Sequence, residues 1–346
     1  MQRIKKLIKL IMAALALVCT FIFTPWQTLW IWITPLPESI QEQVNDATGL
    51  GFDGIIVYVN QRGKPPASYA SGLMNKENNV KTEPDALFKI ASISKLYLAV
   101  ATVKLVNNKS LALDDTLSKL LPEIAGRIEN ADQITLRMLL THRSGIPDWI
   151  NDKAFPWGSP PTDVNKVLSL VLDDDANFKP NTRYQYSNTN YLLIGNILDK
   201  TLGYSHQQYI KKEILAPLGL VHTFGSLSEV DPKQVMCGYD SHYQGDVKML
   251  DFVSPSGAMV ATAEDVGIFL RALNDGSLLN DEEQKIYSAV YEYGHTGLLP
   301  GYMSIARYHK DIDAVVVQFV NTSGGNNWGK SDIIYKRVVK ILKTKS

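Results

Sequence analysis

A serine followed three residues later by a lysine can become a nucleophile. On a helix the two side chains share a face, and the amine can take the hydroxyl proton. In this chain the pair is Ser92 and Lys95, in the run Ser92-Ile93-Ser94-Lys95, and no other serine has lysine at that offset. The pair opens a strongly apolar stretch. Ile93, Leu96, Tyr97, Val100, Val103 and Val106 recur mostly at spacings of three and four, which predicts a helix buried on a broad face. A Ser–Lys pair exposed at the head of such a helix has no packing role, so its spacing points to Ser92 as a base-activated nucleophile.

Two further groups could complete the site. Tyr186-Ser187-Asn188 combines a phenol that can shuttle a proton with a carboxamide that can hold a substrate amide. Tyr58-Val59-Asn60 has the same spelling, but it precedes the serine and falls in a predicted strand, whereas Tyr186 stands at a loop-to-helix boundary. His295-Thr296-Gly297 can present a cation, a hydroxyl and a close backbone approach from one strand. Arg143-Ser144-Gly145 could mimic it, yet it lies before the tyrosine in a turn.

Other chemistries lack their residues. A lipase-type nucleophile elbow needs Gly-x-Ser-x-Gly, which does not occur. His142, His206, His222, His242 and His309 are scattered without metal-ligand spacing, so no metal and no cofactor is expected. Thirty-five basic residues balance 35 acidic ones, and no local basic patch beyond the chain ends suggests nucleic acid. Asp173-Asp174-Asp175 reads as a solvated loop.

The 346 residues suffice for one large domain or two modest ones, and 45% apolar against 20% charged side chains is the balance of an ordered chain. Residues 52–60 (FDGIIVYVN) and 67–73 flank a Gly63–Pro66 turn and predict a hairpin; 301–308 and 314–321 predict another around residues 309–313. Helices are expected at 38–47, 136–140, 164–172, 191–202 and 330–342. The implied architecture is α+β, with an antiparallel sheet made from both chain ends and a mainly helical region inserted between them. Residues 37–90 and 251–346 would form the sheet region and 91–250 the helical one.

The N-terminus is distinct. Arg3, Lys5, Lys6 and Lys9 precede an uncharged run, residues 10–33, with Pro25 past its middle and Trp26, Trp30 and Trp32 near its end. About 20 apolar residues can cross a bilayer, and a basic flank stays on the cytoplasmic side. Residues 1–36 are therefore expected to be a membrane anchor holding the body on the extracytoplasmic face, with a cleaved signal as the rival and lipidation of Cys19 as a third option. Cys19 lies in this segment, so a bridge to Cys237 is not expected.

Taken in order and spacing, the three groups resemble the serine β-lactamase and penicillin-binding superfamily, β-lactamase/transpeptidase-like in fold. The class C-like branch is the closer match; it includes DD-carboxypeptidases, class C β-lactamases, D-aminopeptidases and esterases. The likeness extends to residues 87–95 (LFKIASISK), 134–149 (ITLRMLLTHRSGIPDW), 178–195, 217–220 (PLGL) and 256–270 (SGAMVATAEDVGIFL), about 50–340 in all. It implies that Ser92 is acylated and that Lys95 and Tyr186 exchange protons with it, either one as the base. Asn188 would orient the substrate amide, and the backbone N–H groups of Ser92 and Leu298 would form the oxyanion hole. Thr296, helped by His295 and beside Gly297, would hold a substrate carboxylate. Lactamases usually carry lysine where His295 stands, so the resemblance favours a D-alanyl-D-alanine carboxypeptidase-like enzyme. An esterase, a β-lactamase-type hydrolase or a penicillin-binding sensor that does not turn over are the alternatives. The histidine is expected to aid carboxylate binding when protonated, from an ordinary pKa of about 6.5; the competing expectation keeps it neutral, fixing Thr296 by a hydrogen bond.

Overall fold

The β-branched segment after Phe52 forms strand β1 (Gly54–Gln61) in the computed structural model, which describes residues 2–23 and 26–344. The chain turns at Gly63, whose φ of 78° suits glycine, and returns as β2 (Ala67–Asn75) with the short β3 (Val80–Lys81) at its edge. The other half of the sheet comes from the far end of the chain as β4 (His295–Leu299), β5 (Tyr302–His309) and β6 (Ala314–Val320). The order is β3-β2-β1-β6-β5-β4, antiparallel throughout, and the chain's two ends meet where Ile55 faces Val320 and Tyr58 faces Val317. Both β1 and β6 are covered on both faces, which is why they read as nearly continuous apolar runs.

Helices supply those covers. Before the sheet come α1 (Gln2–Phe23), α2 (Trp26–Ile33) and α3 (Ile40–Thr48), the last started by a capping box between Ser39 and Glu42. Val44 of α3 packs with Val57, Ile305 and Val338 on one face of the sheet. The inserted region carries α4 (Ser94–Asn107), α5 (Leu136–Leu140) and α6 (Asn188–Leu202), and α7 (Ala263–Asp275) follows it. Residues Ser94 to Val103 of α4 are buried all round, the environment of a central helix rather than a surface one. On α7, a side chain at Gly267 would collide with the Tyr58 ring, so glycine lets this helix close onto β1. The last helix, α8 (Asn327–Thr344), packs against α2 and α3. The α+β architecture with a sheet drawn from both ends is the one expected. The helix expected at 164–172 is shorter, Val164–Leu168, and the segment after it continues in turns.

Residues 2–23 and 26–33 of the N-terminal segment are helical. Met1, Thr24, Pro25, Lys345 and Ser346 lie outside the described residues, so the run expected to span, residues 10–33, is described only on either side of residues 24–25. Among the described residues no helix is long and apolar enough to cross a membrane. Arg3, Lys5, Lys6 and Lys9 fall within α1. Cys19 is exposed on α1 and Cys237 is buried elsewhere, and both are free thiols.

Candidate active site

Ser92 sits in a single 3-10 turn, Ala91–Ile93, at the head of α4. The turn is strained: Ala91 has φ 50°, a left-handed conformation that a residue with a Cβ rarely adopts. Neighbouring elements hold it there. Ser94 Oγ donates to the Ala91 carbonyl at 2.7 Å, the Ile90 N–H to the Met259 carbonyl at 3.1 Å, and Ser304 Oγ of β5 to the Ile90 carbonyl at 3.1 Å. A Cβ at Gly297 would strike both Ser304 Oγ and the Ile90 carbonyl. Glycine is therefore what lets β4 lie against the nucleophile's turn, as the motif's third position requires.

The two hydroxyl partners converge from distant parts of the chain. Lys95 Nζ and Tyr186 Oη each stand 3.0 Å from Ser92 Oγ. Lys95 Nζ also donates to Asn188 Oδ1 at 2.9 Å and to the Ser256 carbonyl at 2.7 Å. The lysine is fully buried, and that burial lowers its pKa to about 7, with Asp148 partly opposing the fall. Burial drives Tyr186 the other way, far above the usual phenol range, with the Ser92 hydrogen bond opposing. Near neutrality the amine is thus poised between its two forms, and the phenol stays protonated. Lys95 can act as base and Tyr186 as a neutral proton donor.

Ser92, Tyr186, Asn188, His295, Thr296 and Leu298 line one cavity of about 390 Å3, so the residues singled out in the sequence share a single site. His295 is buried there, and desolvation first, then the nearby Lys95 charge, lowers its pKa to about 4. Its Nδ1–H donates to the Thr296 carbonyl, while Nε2 lies 3.7 Å from Glu292. Both effects favour a neutral ring hydrogen-bonded to Thr296, the competing expectation for His295.

Sequence reasoning passed over several groups that matter here. Trp149, Phe252, Leu299 and Trp328 make the cavity wall apolar, and no charged side chain is among its lining residues. Asp148 lies just behind it, its carboxylate accepting from Asn188 Nδ2 at 3.0 Å. Only its place in the run 134–149 hinted at this. His142 has a left-handed backbone (φ 55°), and its ring stacks on that of Tyr186. Among the described residues no cluster of three or more His, Cys, Asp or Glu could hold a metal ion.

Comparison with known proteins places this geometry. A family model described as Beta-lactamase matches residues 40–290. Protein flp of Staphylococcus aureus (strain NCTC 8325 / PS 47) is 28% identical over 220 residues, covering 62% of this chain and 44% of that protein. Penicillin-binding protein 4* of Bacillus subtilis (strain 168) is 29% identical over 191 residues, 54% of this chain and 41% of that one. The chain thus spans less than half the length of these curated relatives. Among solved structures, the D-amino acid amidase from Ochrobactrum anthropi SV3 complexed with L-phenylalanine matches with a TM-score of 0.79 at 22% identity, over 88% of this chain and 98% of that one. A class C beta lactamase from Rhodobacter sphaeroides matches with a TM-score of 0.68 at 21% identity, over 88% and 97% of the two chains. At such identities the structural likeness establishes the fold.

Proposed function

The chain belongs to the β-lactamase family, a superfamily of serine acyl-hydrolases, and from that premise we propose that it hydrolyses small uncharged esters or amides through an acyl-enzyme on Ser92. The observation that carries the reading is the pair of 3.0 Å contacts from Lys95 and Tyr186 to one serine oxygen. Neutral Lys95 accepts the Ser92 proton as Oγ bonds to the substrate carbonyl carbon. Tyr186 donates its proton to the leaving group as the old bond breaks, and recovers it through the Lys95 ammonium. The backbone N–H groups of Ser92 and Leu298 receive the developing oxyanion. Water then attacks the acyl-enzyme by the same proton path in reverse.

The wall made by Trp149, Phe252, Leu298 and Trp328 supports an apolar acyl group. A D-alanyl-D-alanine carboxypeptidase is the second reading. It draws support from the penicillin-binding relative and from the hydrogen-bonding groups of Asn188 and Thr296, but its substrate ends in a carboxylate and the cavity wall offers no cation. The deciding assay gives the full-length protein an aromatic ester, its amide, a D-Ala-D-Ala peptide and a chromogenic cephalosporin. Ester or amide turnover beyond one equivalent supports hydrolysis; faster release of D-alanine than of alcohol would hand the site to the second reading. One equivalent and no more would mark a sensor.

We also propose that the N-terminal helices attach the body to a membrane on its extracytoplasmic side. Support comes from Leu10, Met12, Leu15, Leu17, Phe21 and Trp30, all more than half exposed, and from the four basic residues at one end of α1. Flotation with anionic lipid vesicles tests this: full-length protein should rise with the lipid, and an equal yield after deletion of residues 1–36 would defeat it.

A further inference from the structure

The carboxylate of Asp148 lies behind the acylation site, and no step above uses it. It is 7% exposed and sits at the start of the short turn Trp149–Asn151, where Oδ1 accepts the Ile150 N–H at 3.4 Å. Its segment is tied to the first turn of α6. Thr189 Oγ1 donates to the Pro147 carbonyl at 2.7 Å, the Trp149 N–H donates to Thr189 Oγ1 at 3.1 Å, and Ser144 Oγ donates to Asn190 Oδ1 at 2.7 Å. The carboxylate is thereby fixed relative to Asn188. An amide whose Nδ2 is held by a carboxylate must present Oδ1 on its other side, and there Lys95 Nζ stands 2.9 Å away.

We infer, resting on the reading of Ser92 and Lys95 as the acylation pair, that Asp148 is a positioning residue which clamps Asn188 toward Lys95 and supplies a negative charge opposite that lysine. The other groups around Lys95 bring no charge near neutrality. Tyr186 and Tyr191 lie with ring centroids 5.1 and 5.7 Å from Nζ, and burial raises both phenols. His142 and His295 approach from the loop after α5 and from β4, and burial lowers both imidazoles. Burial also lowers Lys95, and Asp148 is what holds it up. Burial raises the aspartate's own pKa, and its hydrogen bonds with Asn188 and Ile150, together with Lys95, pull it back. A buried carboxylate and a buried amine connected through one amide form a unit in which each keeps the other's charge affordable.

The test is the pH dependence of Ser92 labelling by a fluorophosphonate probe, followed in the full-length protein and in Asp148→Asn, Asp148→Glu and Asp148→Ala. Because Lys95 must be neutral to accept a proton, its pKa sets the acid limb. Loss of the Asp148 charge should move that limb down by about one pH unit in the Asn and Ala variants. The maximal rate should fall roughly tenfold or more, because Asn188 is no longer clamped. Asp148→Glu keeps the charge and should keep the wild-type limb with a lower maximum. A folded Asn variant with an unmoved limb would overturn the inference, as would a Glu variant whose limb moves like the Asn one. An independent readout is the 13C shift of Lys95 Cε in lysine-labelled protein, assigned with Lys95→Arg. Its midpoint should drop in Asp148→Asn whether or not Ser92 reacts, and an unchanged midpoint overturns the inference too. Absence of labelling in the wild type with a displaced Lys95 midpoint would instead sink the acyl-serine reading alone.

Discussion

The imidazole of His142 stacks on the phenol ring of Tyr186 with centroids 4.4 Å apart and planes 29° from parallel, and its Nδ1 accepts the N–H of Ser187 at 3.2 Å. Burial, reinforced by the Lys95 and His295 charges, lowers its pKa to about 3. A neutral aromatic plate therefore backs the phenol that reaches Ser92.

This arrangement makes stability depend on acid. His142 and His295 titrate at about 3 and about 4 in the fold, below the ordinary histidine value of about 6.5. The unfolded chain binds more protons between those values, so the contribution of neutral burial is complete above about pH 6.5 and is lost as pH falls toward 4 and 3. Each imidazole should remove up to about 2 kcal/mol by about pH 5. Denaturant melts across this range test it. His142→Asn, which tolerates the left-handed backbone and keeps an acceptor for Ser187, should flatten part of the slope.

Replacing Ser92 by Ala should abolish labelling by a fluorescent penicillin or a fluorophosphonate while the fold persists. Lys95→Ala should slow acylation about a hundredfold or more, the scale of a positioned proton acceptor. In the wild type the rate should rise with pH through a midpoint near 7, where the buried lysine loses its proton. Rapid labelling of the Ser92 variant would remove the nucleophile from contention, and a merely twofold loss at Lys95 would make that residue structural.

Gly297→Ala should cost activity more than stability. Its methyl group meets the Ile90 carbonyl and the Ser304 hydroxyl, so β4 must withdraw from the turn that carries Ser92. The expected result is a fall of roughly a hundredfold in kcat, as an oxyanion donor moves out of place. Since the Ile90 carbonyl is backbone, Ser304→Ala in the same chain should restore little. Full activity of the single variant would show that β4 and the turn are not coupled.

His295 should impose no titration of its own on carboxylate binding between about pH 5.5 and 8, because its ring is already neutral there. The ratio of rates for a D-alanyl peptide and a neutral ester should stay flat over that range. His295→Lys adds a cation beside Thr296 and should tighten binding of a carboxylate substrate by up to roughly tenfold. A ratio that changes through a midpoint near 6 in the wild type would restore the protonated-histidine view.

Whatever depends on local pattern is legible in the residues alone. The β-branched runs around Gly63 and around residues 309–313 specify hairpins, and the three-and-four spacing after Ser92 specifies α4, because strand and helix periodicities are written in neighbouring residues. Offset and order likewise singled out Ser92 and Lys95. What the tertiary structure decided is where desolvation falls and which groups meet across long separations. Ser92 and Tyr186 lie 94 positions apart and touch, and Asp148 reaches Lys95 only through Asn188. Burial lowers the pKa of both Lys95 and His295, and residue type cannot report burial.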